Sequence, residues 1–142
     1  MFDRSIKSIM ELERERYLTA PPQTTVRDAA RLMATRNAGA VVVVENDVLV
    51  GIFTERDVVF RVIAKDLDPA NTRLSSVMTS SPHTLGPNRS YGHALLLMQE
   101  HGFRHVPVVE DGRPIGLISS RNAMDPELEE FVSEQRRREH HR

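Results

Sequence analysis

The sequence lacks cysteine, a long apolar run and a surplus of charge of either sign. Without cysteine there can be no disulfides, thiolate metal ligands or cysteine nucleophiles, as is common in a reducing compartment. The longest uncharged apolar run, AGAVVVV at 38–44, is far shorter than the ~20 residues needed to cross a bilayer. The first 20 residues carry too many charges for a secretory signal. We therefore expect a cytoplasmic protein with no membrane partner.

The charge balance argues against a dedicated polyanion binder. The formal net charge is −1, whereas affinity for phosphate backbones comes mostly from surplus lysine and arginine. Basic residues cluster in QRRREHHR at 135–142, which we interpret as a solvated tail; nucleic-acid binding through Arg136–Arg138 is a distant alternative. With 39% hydrophobic residues in 142, the chain can form one compact domain or two small packed ones.

An internal duplication dominates the sequence. A shift of 65 positions aligns residues 26–58 with 91–123 without a gap, and composition alone would make about two of the 33 pairs identical. Nine pairs are identical: Ala29/Ala94, Leu32/Leu97, Met33/Met98, Val41/Val106, Val43/Val108, Val44/Val109, Glu45/Glu110, Gly51/Gly116 and Arg56/Arg121. SIM at 8–10 also matches SVM at 76–78 after a small shift. The chain therefore contains two copies of one unit.

Each copy has the pattern β-α-β-β-α. Helical periodicity follows the candidate caps Thr25 and Ser90, and includes Met33 and Met98, which we interpret as core residues. The β-branched runs AVVVVE and HVPVVE precede the turns ND and DG, which lead into VLVGIF and RPIGLI. Short extended pieces, YLT and HTL, precede the first helices. A second helix is predicted from Thr54, with an apolar stripe of Val58, Val59, Val62 and Ile63.

We predict an α/β (α+β) fold in which the copies pack about a pseudo-two-fold axis, because their continuous apolar strands need burial on both faces. The ranges are 5–66 for repeat 1, 72–125 for repeat 2 and 126–142 for an extra helix and basic tail. That helix would begin with Asp125 and Pro126 and carry an apolar stripe at Leu128, Phe131 and Val132. A cleft is expected at each symmetric end of the contact between the repeats.

The phrase GIFTERD at 51–57 recurs as GLISSRN at 116–122. Thr54-x-x-Asp57 fits a capping box, which would explain the two residues without a ligand. Gly51, which we place at the end of a strand, would allow close approach by another group, backbone or ligand. A helix N-terminus beside such an opening suits phosphate, and a carboxylate there suits a ribose diol.

These residues and the doubled unit resemble the cystathionine β-synthase (CBS) domain family, over roughly residues 5–125. Two such domains in tandem are called a Bateman module. The resemblance implies a non-enzymatic regulatory module for signal transduction that binds an adenosine-containing ligand between the repeats: AMP, ADP or ATP, with NAD(H) or S-adenosylmethionine as other candidates. It implies ribose contacts from Thr54 and Asp57 in one cleft, and from Ser119 and Asn122 in the other. Asn122 brings no charge, so the second cleft is expected to bind differently or stay empty.

The resemblance also implies residues for the base and phosphate. These are Thr19, Ala38, Gly39, Ala40, Ile52, Arg56, Thr84, Phe103, Arg104, His105 and Arg121. Arg104 is the preferred phosphate ligand, with Arg56 and Arg121 as further candidates, because a guanidinium grips phosphate at two points. Surface ion pairs are the alternative role for these arginines. Thr19 and Thr84 would contact adenine through backbone groups.

Three other expectations complete the interpretation. His101 and His105 have helical metal-ligand spacing, but Gly102 lies between them, so we expect no metal site. There is no nucleophile–base set and no phosphate-binding P-loop, which argues against an enzyme. The resemblance implies a homodimer formed through helices, with an effector protein that the sequence does not name. The alternatives are a ligand-free interaction module and, more remotely, a nucleotide hydrolase.

Overall fold

A computed structural model of the chain describes residues 3–11, 17–123, 134–135 and 137–138. Helices and strands alternate through both repeats. The elements in chain order are α1 (Ile6–Met10), β1 (Thr19–Ala20), α2 (Val26–Arg36), β2 (Ala40–Glu45), β3 (Val48–Thr54), α3 (Glu55–Asp57) with a π-helical turn (Val58–Ile63), α4 (Leu74–Val77), β4 (Thr79–Ser80), α5 (Tyr91–His101), β5 (His105–Glu110), β6 (Arg113–Ser119) and a 3₁₀ turn (Ser120–Ala123). The predicted helix at 126–142 lies mostly outside the described residues.

The strand registers confirm the duplication. The first sheet has the order β1-β2-β3-β4, and the second pairs β5 with β6. Ala40 lies opposite Thr54, and His105 lies opposite Ser119, 65 positions later in both strands. Ala20 pairs in parallel with Val43, as Leu85 does with Val108, which confirms the predicted extended pieces. The two hairpins thus reproduce one another, including a register shift after Val43 and after Val108.

The predicted caps and turns are also confirmed. The Thr25 hydroxyl accepts a hydrogen bond from the backbone N–H of Asp28 at 3.2 Å, and the Ser90 hydroxyl accepts one from that of His93 at 3.2 Å. Such bonds satisfy donors that the first turn of a helix leaves free. The hairpin turns use left-handed residues at 46–47 and 111–112, the conformation that two-residue β-hairpins favour.

The short helices are exchanged between the repeats. Ile6 and Ile9 of α1, which begins repeat 1 in the chain, lie in the core of repeat 2 with Tyr91 and Ala94. The counterpart α4, which begins repeat 2 in the chain, contributes to the core of repeat 1. Backbone bonds hold α1 in place, with the N–H of Ile6 donating to Arg89 O at 2.9 Å. The predicted ranges 5–66 and 72–125 divide the chain in sequence order. In the structure, each of these short helices packs in the core of the other repeat.

The predicted apolar stripe after Thr54 is confirmed for Val58 and Val62, which pack in the core of repeat 1, and wrong for Val59 and Ile63. Val62 is fully buried, but the side chains of Val59 and Ile63 are 55% and 57% exposed. The reason is the π-helical turn, in which the N–H of Ala64 bonds to the carbonyl of Val59 five residues earlier. This wider turn changes the helical phase on which the predicted stripe rested.

No helix in the part of the chain that the structure describes could reach across a bilayer. The two longest helices among the described residues, α2 and α5, have 11 residues each, whereas a helix that spans a bilayer needs ~20.

Candidate functional site

Gly51 serves packing between helix and sheet. It lies inside β3, three residues before the strand's end at Thr54, which corrects the predicted position. A Cβ at Gly51 would lie 3.0 Å from the Met78 Cγ and 3.0 Å from the Thr79 carbonyl oxygen. Gly116 meets Met10 in the same way. The predicted close approach is confirmed, and the approaching group is a methionine next to or at the end of an exchanged helix, with no ligand needed to explain the glycine.

Thr54 and Asp57 form the capping box. The backbone N–H of Thr54 donates to the Asp57 Oδ2 at 2.9 Å, and the N–H of Asp57 donates to the Thr54 hydroxyl at 3.3 Å. The Asp57 Oδ1 lies 3.4 Å from the Arg61 Nε. Both carboxylate oxygens therefore have protein partners, which confirms the capping interpretation. Ribose binding by Thr54 and Asp57 stays a prediction.

A cleft of about 660 Å³ lies between the two repeats. One wall comes from α2, the segment after it and α3, and the other from β5, β6 and the turn that follows β6. Its lining residues are Ala30, Met33, Ala34, Asn37, Ala38, Gly39, Glu55, Val58, Arg104, His105, Ser119, Ser120 and Arg121. A hollow of about 20 Å³ shares five of these residues and adds Tyr17, Ala40 and Leu117. Cleft and hollow together form one candidate site.

The structure brings together seven of the predicted site residues. Ala38, Gly39 and Ala40 face the site from repeat 1, and Arg104, His105, Ser119 and Arg121 face it from repeat 2. Matching backbone bonds fix the two walls: the N–H of Glu55 donates to Gly39 O at 3.0 Å, and that of Ser120 to Arg104 O at 3.0 Å. The site therefore combines a wall of small side chains with a wall that carries two guanidinium groups.

Other predicted residues lie outside both cavities. These are Thr19, Ile52, Thr54, Arg56, Asp57, Thr84 and Phe103. The Arg56 guanidinium instead lies 5.0 Å above the Phe60 ring, on the exposed side of the helix. The Phe103 ring stacks on those of His83 and His101. The Asn122 side chain is outside what the structure describes, so its role stays a prediction.

Glu55 and Tyr17 were missed as site residues. The Glu55 Oε1 lies 3.3 Å from the place where a Cβ at Gly39 would stand, and Tyr17 lines the small hollow. Glu55 occupies the position directly after the hydroxyl residue in the repeated phrase, so that phrase could have signalled it. No pattern marks Tyr17, because it precedes β1 and reaches the site only through folding. Burial raises the pKa of the Tyr17 phenol.

His105 is the most perturbed titratable group of the site. Burial and, after it, the positive charges of Arg121 and Arg104 lower the pKa of its imidazole to about 4. Each cause disfavours the charged form. The ring is therefore neutral at physiological pH and offers one donor and one acceptor nitrogen.

His105 does not share a helical face with His101. His101 ends α5 and stacks on His83 at 4.1 Å between ring centroids, whereas His105 begins β5. Within the described ranges, no three His, Cys, Asp or Glu side chains are grouped closely enough to hold a metal ion. The i, i+4 spacing therefore does not fall on one helix.

The family follows from comparison with known proteins. A family model described as CBS domain matches residues 7–64 and 74–126. The chain belongs to the CBS-domain family. It carries two CBS domains, and the packing described above is that of a tandem pair. Its cleft lies between the two CBS domains.

Individual CBS proteins are similar over most of this chain. A protein with CBS domains from Burkholderia ambifaria that is assigned to signal transduction is 32% identical, with a TM-score of 0.78, covering 87% of this chain and 93% of that one. The Arabidopsis thaliana protein CBSCBSPB3 is 40% identical over 113 residues, which are 79% of this chain and 20% of that protein. The chain thus spans about one fifth of that curated relative. The Pyrobaculum aerophilum protein PAE2072, solved in complex with AMP, shares the fold at 24% identity, with a TM-score of 0.75, covering 84% of this chain and 89% of that one.

Proposed function

We propose that this tandem CBS pair is a non-catalytic sensor that binds an adenosine-containing ligand in the cleft between its repeats. AMP and ATP are the first candidates, followed by NAD(H) and S-adenosylmethionine. The observation that carries the proposal is the meeting of Arg104 and Arg121 in one inter-repeat cleft of about 660 Å³. That volume lies within the range typical of small-molecule sites.

The two walls suit the two ends of a nucleotide. Ala30, Ala34 and Ala38 give one side small apolar groups against which a base can lie. Arg104 and Arg121 on the other side can each donate two hydrogen bonds to a phosphate. The Pyrobaculum protein, which shares the fold, was solved in complex with AMP, a ligand whose base and phosphate suit these two walls.

Binding in a shared cleft can regulate because both repeats contribute to it. A ligand held by repeat 1 on one wall and repeat 2 on the other favours the arrangement in which the walls are correctly spaced. The shift in population is limited by the difference in affinity between the two arrangements. An effector protein would respond to that shift.

Arg121→Ala is expected to weaken AMP binding about 10- to 100-fold. A hydrogen bond to a charged group contributes about 1.5–3 kcal/mol, and about 1.4 kcal/mol corresponds to a tenfold change in affinity. Isothermal titration calorimetry at pH 7.5 with AMP, ATP, NADH and S-adenosylmethionine, one at a time, measures the effect and ranks the ligands.

Arg113→Ala is the matched control for this titration. Arg113 begins β6, at the end of the strand opposite to the turn that carries Arg121, where it is exposed and outside both cavities. We expect its removal to leave the affinity for AMP within twofold of that of the unaltered protein.

If none of the four ligands binds the unaltered protein at millimolar concentration, the sensor proposal is wrong and the ligand-free interaction module replaces it. Release of phosphate during long incubation with ATP would instead favour the hydrolase.

A homodimer is the second part of the proposal. The π-helical turn exposes Val59, Phe60 and Ile63 at 55%, 58% and 57% on one helix. Contiguous exposed apolar groups commonly mark an interface, and a two-fold symmetric dimer would bury this face against its own copy.

Phe60→Asp is expected to convert the dimer to a monomer, because it would place a carboxylate in the centre of that apolar face. Sedimentation velocity at micromolar concentration measures the change. Val48→Asp is the control, since Val48 is similarly exposed at 48% but lies at the start of β3. A monomeric unaltered protein, or a dimer that survives Phe60→Asp, would contradict this interface.

A further inference from the structure

We propose that the cleft takes up a proton at His105 when an anionic group binds there, so that ligand affinity rises as pH falls. This regulation rests on the proposed function and concerns the same site. It would make the sensor respond jointly to nucleotide and to acidity.

The position of His105 is the first support. Its side chain lines both the cleft and the small hollow, and β5 holds its backbone opposite Ser119 of β6. The imidazole Nε2 lies 3.3 Å from the place where a Cβ at Gly39 would stand. The ring is therefore held at the seam between the repeats, where a bound ligand would contact it.

The charges that face His105 come from both repeats. Arg104 precedes it in the chain, Arg121 lies on the turn after β6, and Glu55 reaches the cleft from α3. Tyr17, from the segment before β1, lines the same small hollow, and burial raises the pKa of its phenol. Among the described residues, no ion pair links Arg104 or Arg121 to a carboxylate. Burial, the largest cause, and then the positive field of Arg121 and Arg104 lower the pKa of the ring.

An anion in the cleft would reverse that field. In the structure, burial, Arg121 and Arg104 hold the pKa of His105 at about 4. A phosphate between the guanidinium groups would offset their charge and attract an imidazolium. The pKa is then higher in the bound than in the free state, so binding is linked to proton uptake. Affinity must increase as pH falls through the bound-state pKa and level off below the free-state pKa.

The size of the effect follows from the two pKa values. If the anion restores the pKa of His105 from about 4 to its ordinary value near 6.5, the apparent affinity at about pH 5.5 is roughly ten times that at about pH 7.5. If the anion raises the pKa of His105 by less, the ratio of the two affinities is smaller, but the affinity is still higher at the lower pH.

Histidine-detected NMR with sulfate as the probe tests the proposal. Sulfate stays a dianion throughout the titration, whereas the phosphate of AMP itself gains a proton in this pH range. The pKa of His105 is measured in sodium sulfate and in sodium chloride at equal ionic strength. We expect sulfate to raise it by at least about one unit, which corresponds to about 1.4 kcal/mol.

Two variants identify the His105 resonance and test whether the effect of sulfate is specific to this histidine. His105→Gln removes the resonance and should remove the pH dependence of sulfate binding. His93→Gln replaces an exposed histidine on α5 and should leave the His105 titration unchanged. If His105→Gln does not fold, sequential assignment of the unaltered protein still identifies the resonance.

A His105 pKa that is the same in sulfate and chloride would overturn the proposal. Failure of this inference is distinguishable from failure of the sensor function. AMP binding at pH 7.5 together with an unchanged His105 pKa would contradict only the proposed proton uptake. A raised His105 pKa in sulfate without binding of any nucleotide would contradict only the proposed adenosine-containing ligand.

Discussion

Ile9→Ala is expected to lower the free energy of unfolding by about 2–5 kcal/mol, the usual cost of emptying a buried isoleucine site. Ile9 is fully buried in the core of repeat 2, although α1 belongs to repeat 1 in the chain. Chemical denaturation measures the loss. Hydrogen exchange should show it first in α5, β5 and β6, because those elements share the core with α1.

Ile115→Ala provides the comparison for Ile9. Ile115 lies on β6 of the same repeat, but its side chain is 40% exposed. Less apolar surface is lost on truncation there, so we expect a change below about 1 kcal/mol. Equal losses of unfolding free energy for the two variants would contradict the packing of α1 in repeat 2. Faster hydrogen exchange confined to β2 and β3 would contradict it as well.

Gly51→Ala is expected to destabilise the protein by about 1–3 kcal/mol through overpacking. The new methyl group would lie 2.5 Å from the Met78 sulfur and 3.0 Å from the Thr79 carbonyl oxygen. Methionine can rotate away, but the Thr79 oxygen belongs to β4, which pairs with β3 at this point. Thermal and chemical denaturation both report the loss.

Gly86→Ala separates this clash from the general effect of removing a glycine. The nearest atom to a Cβ at Gly86 is the Val109 carbonyl oxygen at 4.0 Å, an ordinary contact. Neither Gly51 nor Gly86 has a positive φ. We expect Gly86→Ala to be neutral or to stabilise by up to about 1 kcal/mol, since alanine reduces the entropy of the unfolded chain. An equally neutral Gly51→Ala would show that β3 and Met78 are not tightly packed.

The capping box illustrates how far local reasoning reaches. Thr54 and Asp57 stand three residues apart at the start of a helix, and the hydrogen bonds between them depend on that spacing alone. The same holds for Thr25 and Ser90 at the starts of α2 and α5. Sequence spacing determines such contacts because both partners belong to one turn of helix.

The site shows where local reasoning ends. Arg104 and Arg121 were both candidates, as was Arg56, and nothing in the chain separates the three by residue type. Folding places the first two in the cleft and the third above Phe60. Glu55 and Tyr17 join the cleft although neither was predicted to. Membership of a cavity is decided by contacts between distant segments.

The sequence by itself determined the duplication, the order of strands and helices, the caps and turns, and a resemblance that names the family. Periodicity, turn chemistry and repetition all act over a few residues or compare one stretch with another. Only the tertiary structure decided that α1 and α4 exchange repeats, that Met78 packs against Gly51, and that Arg104, His105 and Arg121 line one cleft. These features depend on which buried surfaces meet, and that is fixed by the packing of the whole chain around two cores.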